Sequence, residues 1–369
     1  GDSVAAIHYY ELGDVIDALV VGEVVDSVFS GWKGLPATMP DNDLTVTGEY
    51  VVTYIAFADA AVESICLTNW DTNDDGKLAH VEAAAVTDLG TVFKSNRTIK
   101  SFNELQYFTG LTTIGSNTFS NCTNLEFVRF PNTIKTIQSG VFSNCGNLTS
   151  LIIPASVTSF VNNSSYKYCT KLAEIVVEEG NLMYDSRDNC NAIIQKSNNT
   201  LVLGCMNTVI PNTVKEIGNY AFDCCSGLLK IEVPESVTKI NSYGFSSCIE
   251  ATEVNLPNSL EYIGLSAFYN CCKLQSLYIP TNVSTITSGS FRKCNSLQSI
   301  EVAEDNATYD SRDNCNAIIE TATNKLVFGN EQTIIPSSVT IIGNSAFYDC
   351  VNLTAIYLPN SVTAIESNA

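Results

Sequence analysis

The segment DTNDDGKLAHVE, residues 71–82, has the residue types and spacing of a loop that holds a hard divalent cation. Calcium loops of the EF-hand type place oxygen ligands at positions 1, 3, 5, 7 and 12, and a glycine at position 6 permits the sharp bend. The ligand positions here are filled by Asp71, Asn73, Asp75, the backbone carbonyl of Lys77, and Glu82. Gly76 occupies the bend, so the sequence predicts a calcium site of this type.

The surroundings of this loop bear on the role of the ion. FADAAVESICLTNW can form an entering helix after Asp59, and HVEAAAVTDLG can form the leaving helix. Position 9 is Ala79, which has no ligand oxygen, so we expect water to fill that place. Only one such loop occurs, whereas calcium sensors usually contain pairs. We therefore expect Ca²⁺ to have a structural role at a junction between domains, with calcium signalling as the alternative.

Other residues offer little catalytic chemistry. Only two histidines, His8 and His80, are present, which excludes most histidine-dependent catalysis. The sequence contains no G-x-S-x-G or H-E-x-x-H motif, no P-loop and no dinucleotide-binding glycine motif. A glycosidase carboxylate pair remains an alternative, and the duplicated segment YDSRDNCNAII offers two carboxylates in each copy. We interpret that segment as a hydrogen-bonded turn before a hairpin and expect no enzymatic activity.

Eight of the 14 cysteines recur at one position of a sequence repeat. They are Cys122, Cys145, Cys169, Cys225, Cys248, Cys271, Cys294 and Cys350. Cysteine is small and apolar enough to occupy such a position in a protein core. We therefore expect a buried ladder of mostly free thiols, with a disulfide framework as the alternative.

The repeat has a period of 23 residues, with successive units beginning at Ile114 and Ile137. The pattern I-G-x-x-A-F-x-x-C-x-x-L-x-x-I-x-I-P-x-x-V ends in the alternation of a half-buried strand, which the proline terminates. Its first half has the spacing of a tight turn or a single helical turn. Because so short a unit cannot bury its own apolar side chains, the units must stack. The sequence predicts a β-rich solenoid of short parallel strands joined by turns or short helices.

Two units are longer than the others, near residues 174–212 and 299–337, and they lie 125 residues apart. In each unit the strand-like runs AII and LVLG (or LVFG) flank a polar turn, which predicts an inserted β-hairpin. Occurrence of the same segment in two distant places favours a scaffold over an active site.

The repeats of residues 114–369, with their DNCNAII insertions, resemble the BspA-type leucine-rich repeat. The resemblance implies a leucine-rich-repeat solenoid without shared catalytic residues. It also implies a bacterial cell-surface or secreted protein, located outside the cell or on its surface. Such a protein would adhere to a protein partner, such as extracellular matrix or another cell surface.

Four regions are predicted along the chain. Residues 1–55 alternate like strands and form a small β module, and residues 56–90 form the EF-hand-like helical segment. Residues 91–113 cap the solenoid of residues 114–369. The segment SGWKGLPATMPDNDLTVTGEY resembles the carboxyl half of an internalin-type B repeat, which implies a β-grasp-like surface module.

Composition narrows the range of partners. The 19 Lys and Arg residues are outnumbered by 39 Asp and Glu residues, and the net charge of −20 argues against binding to nucleic acid. No apolar run reaches the roughly 18 residues of a membrane-spanning helix, so we expect no membrane insertion in this segment.

The residues that face outward from the predicted strands form the candidate binding surface. Aromatic, apolar and arginine side chains are the usual anchors of protein interfaces. The candidates are Phe127, Arg129, Ile152, Tyr278 and Tyr357. We expect a protein partner; a glycan partner and a purely structural stalk are the alternatives.

Overall fold

The computed structural model describes residues 27–33, 47–163 and 165–369. Two strands and two helices precede the solenoid: β1 (Ser27–Lys33), β2 (Thr47–Val52), α1 (Ala60–Trp70) and α2 (His80–Ala85). Strands β1 and β2 pair antiparallel, with a bulge between Phe29 and Gly31. Residues 1–26 and 34–46 of the predicted β module, including His8, lie outside the described residues.

The solenoid consists of short strands, with 3-10 helices at Asn103–Tyr107, Arg187–Asn189 and Arg312–Asn314. In chain order the strands are β3 (Ser101–Phe102), β4 (Thr113–Ile114), β5 (Phe127–Val128), β6 (Thr136–Ile137), β7 (Ser150–Ile153), β8 (Ser159–Phe160), β9 (Glu174–Val177), β10 (Tyr184–Asp185), β11 (Ala192–Gln195), β12 (Thr200–Gly204), β13 (Glu216–Ile217), β14 (Lys230–Glu232), β15 (Lys239–Ile240), β16 (Glu253–Asn255), β17 (Tyr262–Ile263), β18 (Ser276–Ile279), β19 (Thr285–Ile286), β20 (Ser299–Val302), β21 (Tyr309–Asp310), β22 (Ala317–Glu320), β23 (Lys325–Gly329), β24 (Ile341–Ile342) and β25 (Ala364–Ile365).

A regular repeat contributes strands to two parallel ladders. The first ladder contains the L-x-x-I-x-I strands, such as β7 with β9 and β18 with β20. The second ladder contains two-residue strands just before the glycine position, such as β13, β15, β17 and β19. These second strands were not predicted, because two residues carry no periodicity and the strand exists only through hydrogen bonds to the next repeat. The stretch that follows them forms turns.

A proline after most first-ladder strands begins a turn. Its carbonyl accepts a hydrogen bond from the amide of the valine, leucine or isoleucine three residues later, for example from Val237 to Pro234 at 3.0 Å. Proline has no amide hydrogen to donate to a ladder, so the strand ends there. The buried valine then returns the chain to the core.

Large apolar side chains fill the interior between the ladders. Phe222, Phe245, Phe268 and Phe291 form a continuous stack, with ring centroids 4.8, 5.6 and 5.5 Å apart. Each ring comes from the same position of its repeat, so every unit covers the apolar surface of its neighbour. A single short unit cannot bury its apolar side chains without such neighbours, so it would not be stable on its own.

The repeat cysteines line the same interior. All 14 cysteines, each within the described part of the chain, have free thiols. Most ladder thiols donate to a backbone carbonyl of the preceding repeat, as Cys145 does to Phe119 at 3.0 Å. Burial raises the pKa of the Cys122 thiol to about 11 and that of Cys169 to about 12. These two thiols are therefore protonated packing groups at neutral pH.

The two long units insert hairpins into the second ladder. Strands β11 and β12 pair antiparallel, and β12 then pairs parallel with β13. The same arrangement recurs 125 residues later, where β22 pairs antiparallel with β23 and β23 pairs parallel with β24. Each hairpin thus replaces the two-residue strand of an ordinary repeat.

One predicted strand is wrong. Residues 355–357 have the outward pattern of a first-ladder strand, but they form no strand and Tyr357 is 89% exposed. The equivalent strand in the first long module is β14, whose strand partner is β16 of the following repeat. No strand in the described part of the chain lies in the place of β16, so the hydrogen bonds that would define a strand are missing.

Candidate functional site

The predicted calcium loop connects α1 to α2. Helix α1 begins after Asp59, whose Oδ1 accepts a hydrogen bond from the Ala61 amide at 2.9 Å. Such a side-chain cap satisfies an amide that has no partner within the helix. Helix α2 is shorter than the segment that was expected to be helical, and ends at Ala85.

Hydrogen bonds within the loop hold it in a tight curve. The Gly76 amide donates to Asp71 Oδ2, and the Lys77 amide donates to Asp75 Oδ1, both at 2.9 Å. The Asp75 amide donates to Asn73 Oδ1, also at 2.9 Å. Gly76 has a φ of 78°, a left-handed conformation that glycine adopts without steric cost. These hydrogen bonds and the conformation of Gly76 therefore hold the loop backbone in its curve without an ion.

Glu82 closes the loop by hydrogen bonds to its two ends. Its Oε1 accepts the amide and hydroxyl hydrogens of Thr72, each at 2.7 Å, and its Oε2 accepts the Ala79 amide hydrogen at 2.9 Å. Burial alone would raise the pKa of Glu82, but the hydrogen bonds from Ala79 and Thr72 outweigh it and lower the pKa. The carboxylate is therefore charged at neutral pH, as a cation ligand must be.

The donor set fits a hard cation in part. Asp71 Oδ1 is buried and has no hydrogen-bond partner, which is the state of an oxygen that a cation would satisfy. Carboxylate, amide and carbonyl oxygens are the ligands that calcium prefers. However, in the described part of the chain no three Asp, Glu, His or Cys side chains converge as metal ligands. The Glu82 oxygens instead contact the amides of Thr72 and Ala79.

The helical segment that contains the predicted calcium loop is joined to the start of the solenoid by packing and hydrogen bonds. The Trp70 ring lies against Phe93 and Phe108, with centroids 6.1 and 5.4 Å apart. Asp59 Oδ2 accepts the amide hydrogens of Lys100 at 2.5 Å and Ser101 at 3.3 Å. Leu78 and the first solenoid repeats share one hydrophobic core. The helical segment and the solenoid cap are thus continuous in their packing.

The outward side of the first ladder, which we call the strand face, contains three of the predicted ligand-binding residues, Phe127, Ile152 and Tyr278; Arg129 directly follows β5, and Tyr357 lies in the segment that forms no strand. Phe127 and Ile152 are half-buried, Arg129 is exposed, and Tyr278 is 52% exposed. The ladder sets Ile152 of β7 beside Val176 of β9, an exposed residue that the prediction of site residues omitted. Its alternation with buried Ile175 and Val177 was the signal that could have identified it.

The two long units, which contain the hairpins, form grooves along the strand face. Tyr278, Gln298 and Glu301 line one side of a groove of about 1180 Å³, and Arg312 and Asp313 of the second hairpin unit line the other. A smaller groove of about 600 Å³ lies at the first hairpin. The register places Tyr278 beside Glu301 in the larger groove, whereas Ile152 and Val176 take these places in the first module.

The duplicated YDSRDN segment is held by an ion pair. Arg312 donates from Nε to Asp310 Oδ1 at 2.7 Å and from Nη1 to Asn324 Oδ1 at 2.8 Å, which joins the start of the hairpin to its turn. Arg187 and Asp185 form the same pair in the first copy, at 2.8 Å. An aspartate committed to an arginine is a poor member of a catalytic carboxylate pair, so this geometry favours the structural interpretation.

No helix among the described residues is long and apolar enough to cross a membrane.

Comparison with known proteins identifies the repeats. The family described as the BspA type leucine rich repeat region matches residues 91–196, 203–318 and 326–369, in six copies. None of the curated proteins matches the sequence.

Two solved structures share the fold. A leucine rich cell surface protein from Faecalibacterium prausnitzii A2-165 is 24% identical, with a TM-score of 0.50, and the match covers 74% of this chain and 61% of that one. The pneumococcal vaccine antigen PcpA is also 24% identical with a TM-score of 0.50, and the match covers 72% of this chain and 62% of that one. The matches thus span about three fifths of each of these proteins. The prediction of a leucine-rich-repeat solenoid is confirmed, and the chain belongs to the BspA-type leucine-rich-repeat family.

Proposed function

We propose that this protein is a non-catalytic, cell-surface or secreted binding protein that recognises a protein partner through its strand face. Leucine-rich-repeat solenoids are generally non-enzymatic binding scaffolds, and membership of this family supports a surface location. Resemblance of residues 30–50 to an internalin-type B repeat supports a further surface module at the amino end.

One observation carries the proposal, namely the apolar side chains on neighbouring strands of this face. Ile152 and Val176 lie side by side in the ladder, and Phe127 faces outward from β5 on the same side of the solenoid. Arg129, which directly follows β5, is exposed. The buried centre of a protein interface is more apolar than the rest of the surface, and arginine is enriched there.

The middle of the strand face is different, because its charged side chains are already paired with one another. Lys230 pairs with Glu232 and lies 3.1 Å from Glu253, and Asn255 donates to Glu232. Side chains satisfied in this way offer little net attraction to a partner. We therefore assign recognition to the apolar strands near the first hairpin and to Tyr278.

The experiment is solid-phase binding of the purified chain to a panel of extracellular matrix proteins and a panel of immobilised glycans. We expect saturable binding to at least one protein. Binding to glycans alone would favour the second candidate function, and no saturable binding in either panel would favour a structural stalk.

The second candidate is glycan binding in the larger groove, because the groove has the chemistry that sugars require. It combines the half-exposed Tyr278 ring with the polar side chains of Gln298, Glu301 and Asn314. An aromatic ring with a polar handle can cover a sugar face while neighbouring polar groups bind its hydroxyls. The proposal for a protein partner is preferred because the first module offers an apolar surface instead.

The proposed function includes one structural calcium ion in the loop of residues 71–82. Asp71, Asn73, Asp75, the Lys77 carbonyl and Glu82 would hold it, and the bound charge would stabilise the acidic loop. The unpartnered Asp71 oxygen supports this assignment.

Calcium should therefore raise the melting temperature of the protein. At about 100 times the dissociation constant of the ion, the stabilisation should approach about 2.7 kcal/mol. We expect the Asp71→Asn variant to lose this effect in thermal melts with calcium and with chelator. Asp74→Asn, which changes a loop carboxylate outside the ligand set, is the matched control. Identical melting of the unmodified protein in calcium and chelator would contradict the calcium site.

A further inference from the structure

We infer that residues 53–55 are part of the calcium site, with Tyr54 positioning the Asp75 carboxylate, so that calcium binding and the pairing of this segment with the loop are coupled. This inference rests on the calcium site proposed above. It adds a residue that lies outside the EF-hand-type pattern and 17 positions before its first ligand.

Backbone hydrogen bonds join the segment to the end of the loop. The Ile55 amide donates to the Leu78 carbonyl at 2.9 Å, and the His80 amide donates to the Thr53 carbonyl at 3.2 Å. Tyr54 and Ala79 form an antiparallel bridge between these two bonds. Calcium loops of this type usually occur in pairs, but this chain has one. Here the chain segment before the entering helix provides the extended partner.

The Tyr54 side chain contacts the loop where the ion would bind. Its hydroxyl donates to Asp75 Oδ2 at 2.9 Å, and the Lys77 ammonium lies 4.9 Å from its ring centroid. The other oxygen of Asp75 accepts the Lys77 amide hydrogen. Both oxygens of this proposed ligand are therefore oriented by donors. Partners that orient a metal ligand in this way contribute substantially to metal affinity.

Residues 53–55 directly follow strand β2, so their coupling to calcium affects how the chain leaving β2 is attached to the solenoid. Strand β2 ends at Val52, directly before Thr53, while the other side of the loop rests on the solenoid cap through His80 and Tyr107, whose rings are 4.6 Å apart. Calcium would thus fasten the chain leaving β2 to the solenoid. Coupling between two binding events is reciprocal, so loss of the Tyr54 contact must also weaken the binding of calcium to the loop.

The test compares the unmodified protein with Tyr54→Phe, which removes only the hydroxyl. Tyr107→Phe is the matched control, since Tyr107 lies beside the same loop but makes no hydrogen bond to it among the described residues. We expect Tyr54→Phe to raise the calcium dissociation constant roughly tenfold in titration calorimetry, at the lower end of the effect of outer-sphere partners. In chelator, Tyr54→Phe should melt at the same temperature as the unmodified protein. If Tyr54 had a merely structural role, the variant would melt at a lower temperature even without calcium.

Hydrogen exchange provides the second readout. The amides of Ile55 and His80 should exchange more slowly with calcium than with chelator in the unmodified protein. The coupling is wrong, and the calcium site stands, if calcium binds but does not slow the exchange of these amides and Tyr54→Phe binds calcium as tightly as the unmodified protein. If the unmodified protein binds no calcium, both the site and the coupling are wrong.

Discussion

At the residue scale, the position before each ladder cysteine has a left-handed backbone. The φ angle there lies between 56° and 64° at Asn121, Asn144, Tyr168, Cys224, Ser247, Asn270, Lys293 and Asp349. This conformation costs about 1–2 kcal/mol for most residues and less for asparagine or aspartate. The repeated asparagines in S-N-C and Y-N-C were the sequence signal for it, but the residues that replace them in other repeats conceal that signal.

Ser247→Asn should therefore stabilise the protein. Asparagine tolerates the left-handed backbone better than serine, and its Oδ1 should accept from Asn270 in the way that Asn121 Oδ1 accepts from Asn144 at 3.0 Å. We expect the free energy of unfolding in urea to rise by about 0.5–1 kcal/mol. The reverse change, Asn144→Ser, should lower it by a similar amount. A destabilised Ser247→Asn variant would contradict this account of the turn.

The predicted calcium loop of residues 71–82 shows how much a sequence motif can predict about single residues. The pattern identified the acidic positions and the glycine at the bend, because these follow from ligand number and backbone curvature. It could not show that the Glu82 oxygens contact the amides of Thr72 and Ala79, since those bonds depend on how the loop closes. Nor could it identify Tyr54, whose contact with Asp75 arises from tertiary structure.

At the element scale, strands could be predicted where alternation is long enough and a neighbouring strand exists. Strand β18 shows alternating exposed and buried residues and pairs with β20 over four positions, so pattern and structure agree. Residues 355–357 have a similar pattern but lack a neighbouring strand, and they remain irregular. Two-residue strands such as β15 could not be predicted, because inter-repeat hydrogen bonds alone define them.

The second hairpin should become less stable in acid through its ion pair. Burial alone would raise the pKa of Asp310, but its hydrogen bonds and charge interaction with Arg312 outweigh this and lower the pKa. A carboxylate whose pKa is lower in the folded state stabilises that state above its ordinary pKa of about 3.9. That stabilisation is lost as the pH falls from about 4 through the lower pKa of the folded state.

Melting temperatures measured from pH 6 to pH 2.5 would test this prediction. The unmodified protein should lose more stability below about pH 4 than the Asp310→Asn variant does, because the variant has no carboxylate to protonate. Asp313→Asn, which removes a neighbouring exposed carboxylate, should retain the steeper loss. Equal slopes for the unmodified protein and Asp310→Asn would show that the ion pair contributes nothing measurable.

At the scale of the whole molecule, stacking gives the chain one long surface instead of a deep pocket. Most repeats bury their cysteine and an aromatic side chain inward and present other residues on the strand face. The period of 23 residues was sufficient to predict this architecture, because the apolar side of each unit must be covered by its neighbour. Under the proposed function, the outward side chains that differ between repeats would determine what this surface binds.

The central claim is that the strand face binds a protein partner, and one measurement tests it most directly. We would compare the affinities of the unmodified protein, the double variant Ile152→Ser/Tyr278→Ala and the control Tyr168→Ala for the matrix protein that binds best in the solid-phase panel. Tyr168 is 51% exposed, like Tyr278, but lies outside the first ladder.

Loss of two interface anchors should weaken binding by more than tenfold, since each anchor typically contributes more than about 1 kcal/mol. The control should bind like the unmodified protein, and all three proteins should melt at similar temperatures. Unchanged affinity in the double variant, or equal weakening in Tyr168→Ala, would show that the strand face is not the binding surface.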